Sequence, residues 1–290
     1  MSSVRHTRLD VEGIQTRVLL AGPESSSEAV LFVHGNPGSA DDWEPLTESA
    51  GGLVRAVAFD LPDFGDTQAP AGFRHTTDSY AAFVQQLVTR LGIERVHLVL
   101  HDFGGPIGLA WLASNPDALA SITLIDTGIL PDYHWHFLAR VWRAPILGEV
   151  FQATATRPAF RWLVNRGEPR GLPREFLDGM YDHYDRRTRR AVLELYRDAD
   201  DPAAGSAELA ALMAPRDVPA LVVWGEHDAY LPYSYAARQR EAFPSADVHV
   251  LPASGHWPYV DAADTVQRLL LDFLRRVLGR EQVPSASPSA

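Results

Sequence analysis

A single aspartate stands where an apolar run turns sharply into a glycine-rich segment. The run Val96–Leu100 is typical of a buried strand, and the sequence His101-Asp102-Phe103-Gly104-Gly105 follows it directly. A side chain at the apex of such a strand-to-helix turn stands clear of the backbone, at the end of the strand. A carboxylate is ionised at neutral pH and can attack an electrophilic carbon, so the pattern predicts Asp102 as a nucleophile.

Two further residues complete a candidate catalytic set. Asp228 follows an apolar run in Gly225-x-x-Asp228, and His256 follows another in Gly255-His256. His256 would take a proton from water, which hydrolyses the ester formed on Asp102, and Asp228 would orient the imidazole. Asp126 also follows a strand and is the alternative to Asp228 as the acid.

A turn-rich loop after the run 29–33 contributes a second kind of group. It has the sequence His34-Gly35-Asn36-Pro37. We expect the backbone N–H groups of Asn36 and Phe103 to form the oxyanion hole for the tetrahedral intermediate of ester hydrolysis.

The elements that must position these residues follow from the spacing of apolar residues. Short apolar runs alternate with segments of helical spacing such as 79–91. This alternation predicts an α/β protein with a mostly parallel sheet and helices on both faces. Sites in such sheets form beyond the carboxyl ends of the strands, so the polar sequences that end the strands should meet at one edge.

The strand pattern stops over residues 131–215, which are helical in character and rich in Arg, Trp and Tyr. We therefore predict a first core part at 1–130, a helical cap at 131–215 and a second core part at 216–281. The tail 282–290 is rich in Pro, Ser and Ala and is expected to be disordered.

Composition excludes several classes of protein. The net charge of -11 over 290 residues argues against a nucleic-acid binder, and the absence of cysteine excludes disulfides and a thiolate nucleophile. No run approaches the roughly 18 apolar residues of a membrane span, and the N-terminus lacks the apolar segment of a signal peptide. We expect a cytoplasmic protein with no membrane partner, present as a monomer or homodimer.

Together these motifs resemble the α/β-hydrolase superfamily, and within it the aspartate-nucleophile branch of epoxide hydrolases and haloalkane dehalogenases. The nucleophile, acid and histidine follow one another in that superfamily's order. The resemblance covers about residues 8–278 and implies a capped α/β-hydrolase fold without a cofactor. We expect a small, neutral, apolar substrate, with water as the co-substrate. The matching motifs are His34-Gly35-Asn36-Pro37, Asp60-x-Pro62-x-x-Gly65, His101-Asp102-Phe103-Gly104-Gly105, Gly225-x-x-Asp228 and Gly255-His256-Trp257-Pro258.

The resemblance also suggests where a proton donor should lie. Opening an epoxide gives an alkoxide, and epoxide hydrolases that resemble this chain protonate it with cap tyrosines. The resemblance implies Tyr196 as the main donor, with Tyr133, Tyr181 or Tyr184 as the second. An epoxide hydrolase that yields a vicinal diol is the favoured function.

Other functions stay open. Asn36 matches the halide-binding loop of dehalogenases, but Phe103 stands where those enzymes have a tryptophan and offers no N–H. A cap tryptophan, Trp135 or Trp142, could replace that donor. A strained-ring lactone or ester hydrolase and a ligand receptor on a hydrolase scaffold are further alternatives, and a receptor has no need of His256.

The segment Tyr133-His134-Trp135-His136 contains two histidines that could suggest a metal. On a helix these histidines, two residues apart, would face different sides, and no carboxylate pair lies nearby in sequence. We therefore expect no metal site, and a substrate-facing or cap-hinge role for this segment.

Overall fold

A computed structural model describes residues 3–199, 201 and 203–279. Eight strands form a single sheet. They are β1 (Arg5–Val11), β2 (Ile14–Ala21), β3 (Glu28–Val33), β4 (Arg55–Phe59), β5 (Arg95–His101), β6 (Leu119–Ile125), β7 (Ala220–Gly225) and β8 (Asp247–Leu251).

The strand order is β1-β2-β4-β3-β5-β6-β7-β8. β1 pairs antiparallel with β2, which pairs antiparallel with β4, whereas the other five pairings are parallel. The prediction of an α/β-hydrolase fold with a mostly parallel sheet is confirmed. The carboxyl ends of β3, β5, β6, β7 and β8 consequently share one edge of the sheet.

Twelve α-helices join and cover the strands in the described part of the chain. They are α1 (Glu44–Gly51), α2 (Thr77–Arg90), α3 (Gly104–Ser114), α4 (Phe137–Arg143), α5 (Leu147–Thr154), α6 (Arg157–Val164), α7 (Arg174–His183), α8 (Arg186–Asp198), α9 (Ser206–Met213), α10 (Ser234–Arg238), α11 (Pro258–Asp261) and α12 (Ala263–Val277). Helix α2 begins where the Thr76 side chain caps the Ser79 N–H, and its apolar residues Tyr80, Phe83, Val84, Leu87 and Val88 face the sheet.

The central strands are apolar on both sides because helices cover both faces of the sheet. All five residues of β4 and all six of β7 are buried. The core continues into Trp43, Trp111 and Trp224, whose side chains are fully buried. A continuous apolar interior therefore holds in place the sheet edge that carries the polar loops.

Helices α4 to α9 all lie between β6 and β7, over the range predicted as the cap, and no described residue between these strands forms a strand. The assignment of 131–215 as a separate domain stays a prediction. The predicted disordered tail, 282–290, lies outside the described residues. None of the helices in the described part combines the length and the hydropathy that crossing a membrane requires.

Candidate active site

The turn after β5 holds Asp102 in a backbone conformation that few side chains adopt. The φ angle of Asp102 is 47°, in the left-handed region. A side chain at Gly104 would overlap the carbonyl oxygen of Val33, so the helix α3 can start this close to β3 only with glycine there. The strained turn lifts the Asp102 carboxylate above the edge of the sheet.

Two groups hold the Asp102 carboxylate. Its Oδ1 accepts a hydrogen bond of 2.6 Å from the backbone N–H of Asn36. Its Oδ2 lies 3.4 Å from Nε2 of His256. Burial alone would raise the pKa of Asp102, but the contact with His256 and the Asn36 N–H outweigh burial and lower that pKa below its usual value. The free protein therefore carries an ionised carboxylate here.

The predicted oxyanion-hole donors lie on either side of this carboxylate. Asn36 already donates its backbone N–H to Oδ1. Phe103 is next to Asp102 in sequence, and its backbone N–H has no acceptor among the described residues. The Oδ1 position therefore has the surroundings that an oxyanion hole requires, and the role of both residues stays a prediction.

His256 links the two aspartates. Its Nδ1 lies 2.8 Å from Oδ2 of Asp228, and the other Asp228 oxygen accepts the N–H groups of Tyr230 and Leu231. Burial would lower the pKa of His256, but the charges of Asp228 and Asp102 raise it well above its ordinary value. The structure thus brings the three predicted residues into one chain of contacts.

Asp126, the alternative acid, lies beside this chain of contacts. Its Oδ1 accepts the N–H of Gly225 at 2.9 Å, and its Oδ2 has no hydrogen-bond partner. Burial and the charge of Asp228 raise the pKa of Asp126 well above its usual value. The hydrogen bond to His256 is formed by Asp228, which favours Asp228 as the acid.

Asp126, Asp228 and His256 place one ligand-type atom each within 4.8 Å of one another. Such clustering can hold a metal ion. Here, however, Nδ1 of His256 is already bonded to Asp228, and burial raises the pKa of Asp126, which disfavours its ionised form. Because metal ligands must be deprotonated and free, the arrangement fits an acid–histidine pair better than a metal centre.

Two residues that sequence reasoning missed hold the main chain of His256. Nε2 of His101 donates to the carbonyl of His256 at 2.7 Å, and the His256 N–H donates to Oε1 of Glu168 at 2.7 Å. Glu168 lies between α6 and α7 in the cap, and burial raises its pKa to about 7. Nothing in the local sequence around Glu168 indicated this long-range contact.

Tyr196 faces this carboxylate from the last turns of α8. Its side chain is 2% exposed, and its ring packs against Phe103 at 4.6 Å and Trp142 at 4.9 Å between ring centroids. The Asn36 side chain lies beside its hydroxyl, but this contact does not have the geometry of a hydrogen bond. Burial and the negative charge of Asp102 raise the pKa of Tyr196 well above its ordinary value, so the phenol keeps its proton.

His136 is a second cap group that faces Asp102. Its Nδ1 caps helix α4 by accepting the N–H of Ala139 at 3.2 Å. Burial lowers the pKa of His136 to about 4, so the ring is neutral and its single proton is on Nε2. Nε2 has no partner among the described residues, which leaves an N–H donor at the site. The sequence indicated a substrate-facing role for this segment but did not single out His136.

The other predicted cap residues are committed to different contacts. The hydroxyl of Tyr133 donates to the carbonyl of Tyr230 at 3.2 Å, and that of Tyr181 donates to the carbonyl of Ala155. The hydroxyl of Tyr184 accepts from the amide of Gln152 at 2.8 Å. The bonds that Tyr133 and Tyr181 donate compete with proton donation to a substrate, whereas Tyr184 accepts its bond and keeps its own proton available. The donor role of Tyr133 stays a prediction.

The indole N–H groups of Trp135 and Trp142 are buried and have no hydrogen-bond partner in the described part of the chain, and the same is true of the side-chain amide of Asn36. Trp142 and Asn36 line one cavity at the site, and Trp135 lines another. Unpaired buried donors are uncommon in proteins and favour positions where a ligand completes the bonding.

Two cavities reach the site from different sides. The smaller, of about 190 Å³, lies under α5 and α6 of the cap. The larger, of about 570 Å³, lies between α3, the segment after β6 and α9. Both are lined by Asp102, His136, Tyr196 and Tyr230, which form a shared waist between them.

Comparison with known proteins identifies the fold family. The family described as alpha/beta hydrolase fold matches residues 28–263. A 2-hydroxy-6-oxononadienedioate/2-hydroxy-6-oxononatrienedioate hydrolase from Pseudomonas sp. is 23% identical, over 87% of this chain and 89% of its own length. A cis-3-alkyl-4-alkyloxetan-2-one decarboxylase from Xanthomonas campestris is 28% identical, over 93% of this chain and 95% of its own.

Solved structures are similar in fold over nearly the whole chain. The haloalkane dehalogenase DatA from Agrobacterium tumefaciens has a TM-score of 0.78 at 22% identity, covering 95% of this chain and 97% of that one. The epoxide hydrolase CorEH has a TM-score of 0.79 at 16% identity, covering 95% and 100%. At these identities the likeness concerns the fold alone, so the chemistry has to be argued from the site.

Proposed function

The chain belongs to the α/β hydrolase fold family and is a hydrolase, and from this premise we propose that it opens epoxides through a covalent ester on Asp102. The observation that supports the proposal is a pair of cap donors, the Tyr196 hydroxyl and the His136 Nε2–H, whose residues line both cavities together with Asp102. We expect these donors to supply the proton and the hydrogen bond that an oxygen leaving the attacked carbon needs.

The first step is attack by the carboxylate. Oδ1 of Asp102 is held by the Asn36 N–H, so Oδ2 is the oxygen free to attack a ring carbon. The C–O bond of the ring breaks, and the released oxygen takes the phenolic proton of Tyr196 while His136 donates a hydrogen bond to it. The products of this step are a neutral ester on Asp102 and a hydroxyl group on the substrate.

Ester formation prepares His256 for the second step. The pKa of His256 is raised by two carboxylates, and the ester removes the charge of one of them. The pKa of His256 then falls, and the proton that it releases restores the hydroxyl of Tyr196. Neutral His256 is the form that can act as a base.

Hydrolysis follows at the ester carbonyl. His256 takes one proton from water, and the water oxygen adds to the carbonyl carbon while Oδ1 becomes an oxyanion beside the N–H groups of Asn36 and Phe103. The second water hydrogen ends on the departing diol. The water oxygen stays in the Asp102 carboxylate, and His256 is again protonated.

The charges around the two cavities support a neutral substrate. Among the described residues that line them, none is Lys or Arg, and the larger cavity has the exposed carboxylates of Asp78, Asp198 and Asp201 at its mouth. A substrate with two carboxylates, as in the name of the dioate hydrolases, would find no Lys or Arg side chain among these described residues. The oxetan-2-one in the name of the Xanthomonas relative is a strained, neutral oxygen ring, as an epoxide is.

Carbon–halogen hydrolysis is the second candidate. The buried, unpaired N–H donors of Asn36 and Trp142 line the smaller cavity together with Asp102. Two such donors are the groups that a departing halide ion requires. This function shares the nucleophile and the hydrolysis step and differs only in the leaving group.

Single turnover in oxygen-18 water tests the mechanism. With styrene oxide as substrate, label should enter the Asp102 carboxylate on the first turnover, and the product should be the diol. His256→Gln should accumulate an Asp102 peptide heavier by the mass of the substrate, because attack precedes the step that needs the base. Label found only in the diol, with no such adduct, would refute the ester mechanism.

A donor series tests the choice of epoxide. Tyr196→Phe should slow ester formation by about 10²–10⁴-fold, and His136→Asn by about 10-fold or more. Asn keeps the cap of α4 but does not extend to the position of Nε2. Tyr181→Phe is the control, because the Tyr181 hydroxyl donates its proton to the carbonyl of Ala155 and Tyr181 lines neither cavity. Halide release from 1-bromohexane without any diol from an epoxide supports the second candidate instead, and turnover of an oxetan-2-one alone supports lactone opening.

A further inference from the structure

Two cavities at a single nucleophile place a constraint on the shape of the substrate. They share only Asp102, His136, Tyr196 and Tyr230 among their described lining residues. Two of these are the proposed nucleophile and proton donor, so the reacting group must sit at this waist. Whatever extends from the reacting group then has two separate spaces to enter.

We infer that the substrate is an internal, 2,3-disubstituted epoxide with one apolar substituent in each cavity. The inference rests on the proposed function, which supplies the ring at the waist. A terminal epoxide would leave one cavity without a substituent and lose the apolar contacts that the second substituent makes.

The lining of each cavity fits an apolar arm. Phe151, Phe160 and Leu163 enclose the smaller cavity, and Leu109, Ile129 and Leu209 line the larger one. Leu109, Ile129 and Leu209 are buried at 7%, 2% and 8% exposure. The difference in volume, about 190 against about 570 Å³, indicates that the two arms need not be equal and that the longer one enters the larger cavity.

The position of Tyr230 at the waist agrees with one substituent in each cavity. Tyr230 packs on His256 with ring centroids 4.9 Å apart and on His136 with ring centroids 5.1 Å apart. It therefore connects the proposed base to the cap at the point where the cavities meet. A substituent that extends from the waist into either cavity must pass the ring of Tyr230. The two ring carbons of an epoxide, each with its own substituent, match a waist with two exits.

Blocking one cavity at a time tests the inference. Ala155 lines only the smaller cavity and Ala110 only the larger one, and both are half-buried and outside the waist. Ala155→Trp and Ala110→Trp should fill their respective cavities, and each variant is the control for the other. Ala155→Leu and Ala110→Leu provide milder plugs if a tryptophan variant fails to fold, as judged by circular dichroism.

Binding of unreactive ketones gives a readout that does not depend on chemistry. The parent protein should bind 5-nonanone, which has two butyl arms, at least about 10-fold more tightly than 2-hexanone, which has one. Each plug should reduce that ratio to less than about 3-fold. If only one plug affects 5-nonanone, or neither does, the two arms do not occupy separate cavities and the inference fails.

Turnover separates this inference from the proposed function. We expect kcat/KM for trans-5,6-epoxydecane to exceed that for 1,2-epoxyhexane by about 10-fold, and each plug to remove that preference. Equal turnover of both epoxides, with an ester trapped on Asp102, overturns the two-arm inference and leaves the epoxide proposal standing. If neither epoxide gives a diol or an ester, the proposed function fails, and ketone binding still decides whether two arms are accommodated.

Discussion

The core edge and the cap contribute to the site by different means. At the core edge, backbone groups fix each reactive side chain: the Asn36 N–H holds Asp102, and two loop N–H groups hold Asp228. In the cap, Tyr196 is held by aromatic packing, and its hydroxyl forms no well-aligned hydrogen bond with a described residue. The core thus holds the proposed nucleophile and its base rigidly, while the cap offers donors that we expect a substrate to complete.

The two regions meet at His256. His101 holds its carbonyl from the core, and Glu168 holds its N–H from the cap. The orientation of the base therefore depends on both regions, although the residues that polarise it are all in the core. We therefore expect substitutions at the core edge to abolish activity or folding, and substitutions in the cap to change activity or stability by smaller amounts.

Removing the nucleophile should have the largest effect. Asp102→Asn should lower turnover by at least about 10⁴-fold, because Asp102 is the only carboxylate among the described residues that lines both cavities. Asparagine tolerates the left-handed backbone at this position, so the fold should persist. Steady-state rates and thermal unfolding on the same sample check both statements. Activity within 10-fold of the parent would contradict the assignment of the core edge as the reactive region.

A methyl group at the start of α3 tests how tightly the core is fitted around Asp102. Gly104→Ala should lower the free energy of unfolding by about 2–3 kcal/mol, because the new methyl overlaps the buried carbonyl of Val33. Urea unfolding followed by fluorescence measures the change. A loss below 0.5 kcal/mol would show that the elbow can relax.

The contact between Glu168 in the cap and the main chain of His256 should make the stability of the protein depend on pH. The folded pKa of Glu168, about 7, is above its reference value of 4.5. The stability contributed by protonated Glu168 is therefore complete below pH 4.5 and is lost as the pH rises through 7. Glutamine at position 168 cannot titrate. As the pH rises from 4.5 to 8, the free energy of unfolding of Glu168→Gln should therefore increase by about 1–3 kcal/mol relative to that of the parent protein.

Urea unfolding of both proteins at several pH values checks this difference. Asp60 and Asp42 also have raised pKa values, about 6 and about 8, but they titrate in both proteins and cancel in the comparison. A difference that stays constant with pH would show that Glu168 does not change its protonation on unfolding.

The smallest effect is expected on the cap side, as the counterpart of Gly104. Gly179 lies inside α7, and a methyl group there meets no atom within 4 Å. Gly179→Ala should stabilise the protein by about 0.5–1 kcal/mol, because alanine loses less backbone entropy in a helix. Thermal unfolding measures it, and destabilisation would indicate that the cap is packed as tightly as the core.

Much of the core edge was predictable because its signals are local. Strand runs of five to seven apolar residues end in polar turns, and the parallel order of the strands places those turns together. Asp102, Asp228 and His256 were proposed in this way, and the structure brings them into contact. Helix α1 was missed, because its short sequence Glu44–Gly51 is followed by a second glycine, Gly52, and has a weak apolar stripe.

The cap was harder to predict, because its contacts join residues far apart in sequence. The sequence does not distinguish the hydroxyls of Tyr133, Tyr181 and Tyr184. In the structure, each is bonded to a different protein group. His136 was not distinguished from His134, since only the cap of α4 fixes which nitrogen carries the proton. Glu168 was invisible for the same reason.

The sequence by itself determined the fold family, the order of the strands' polar ends and the carboxylate at the elbow, because these depend on periodicity and on short motifs. Tertiary structure alone decided which cap donors are free, that Asp228 rather than Asp126 bonds His256, and that two cavities meet at one waist. Those features depend on burial and on long-range contacts, which raise the pKa of Asp126 and place Asp228 against Nδ1 of His256.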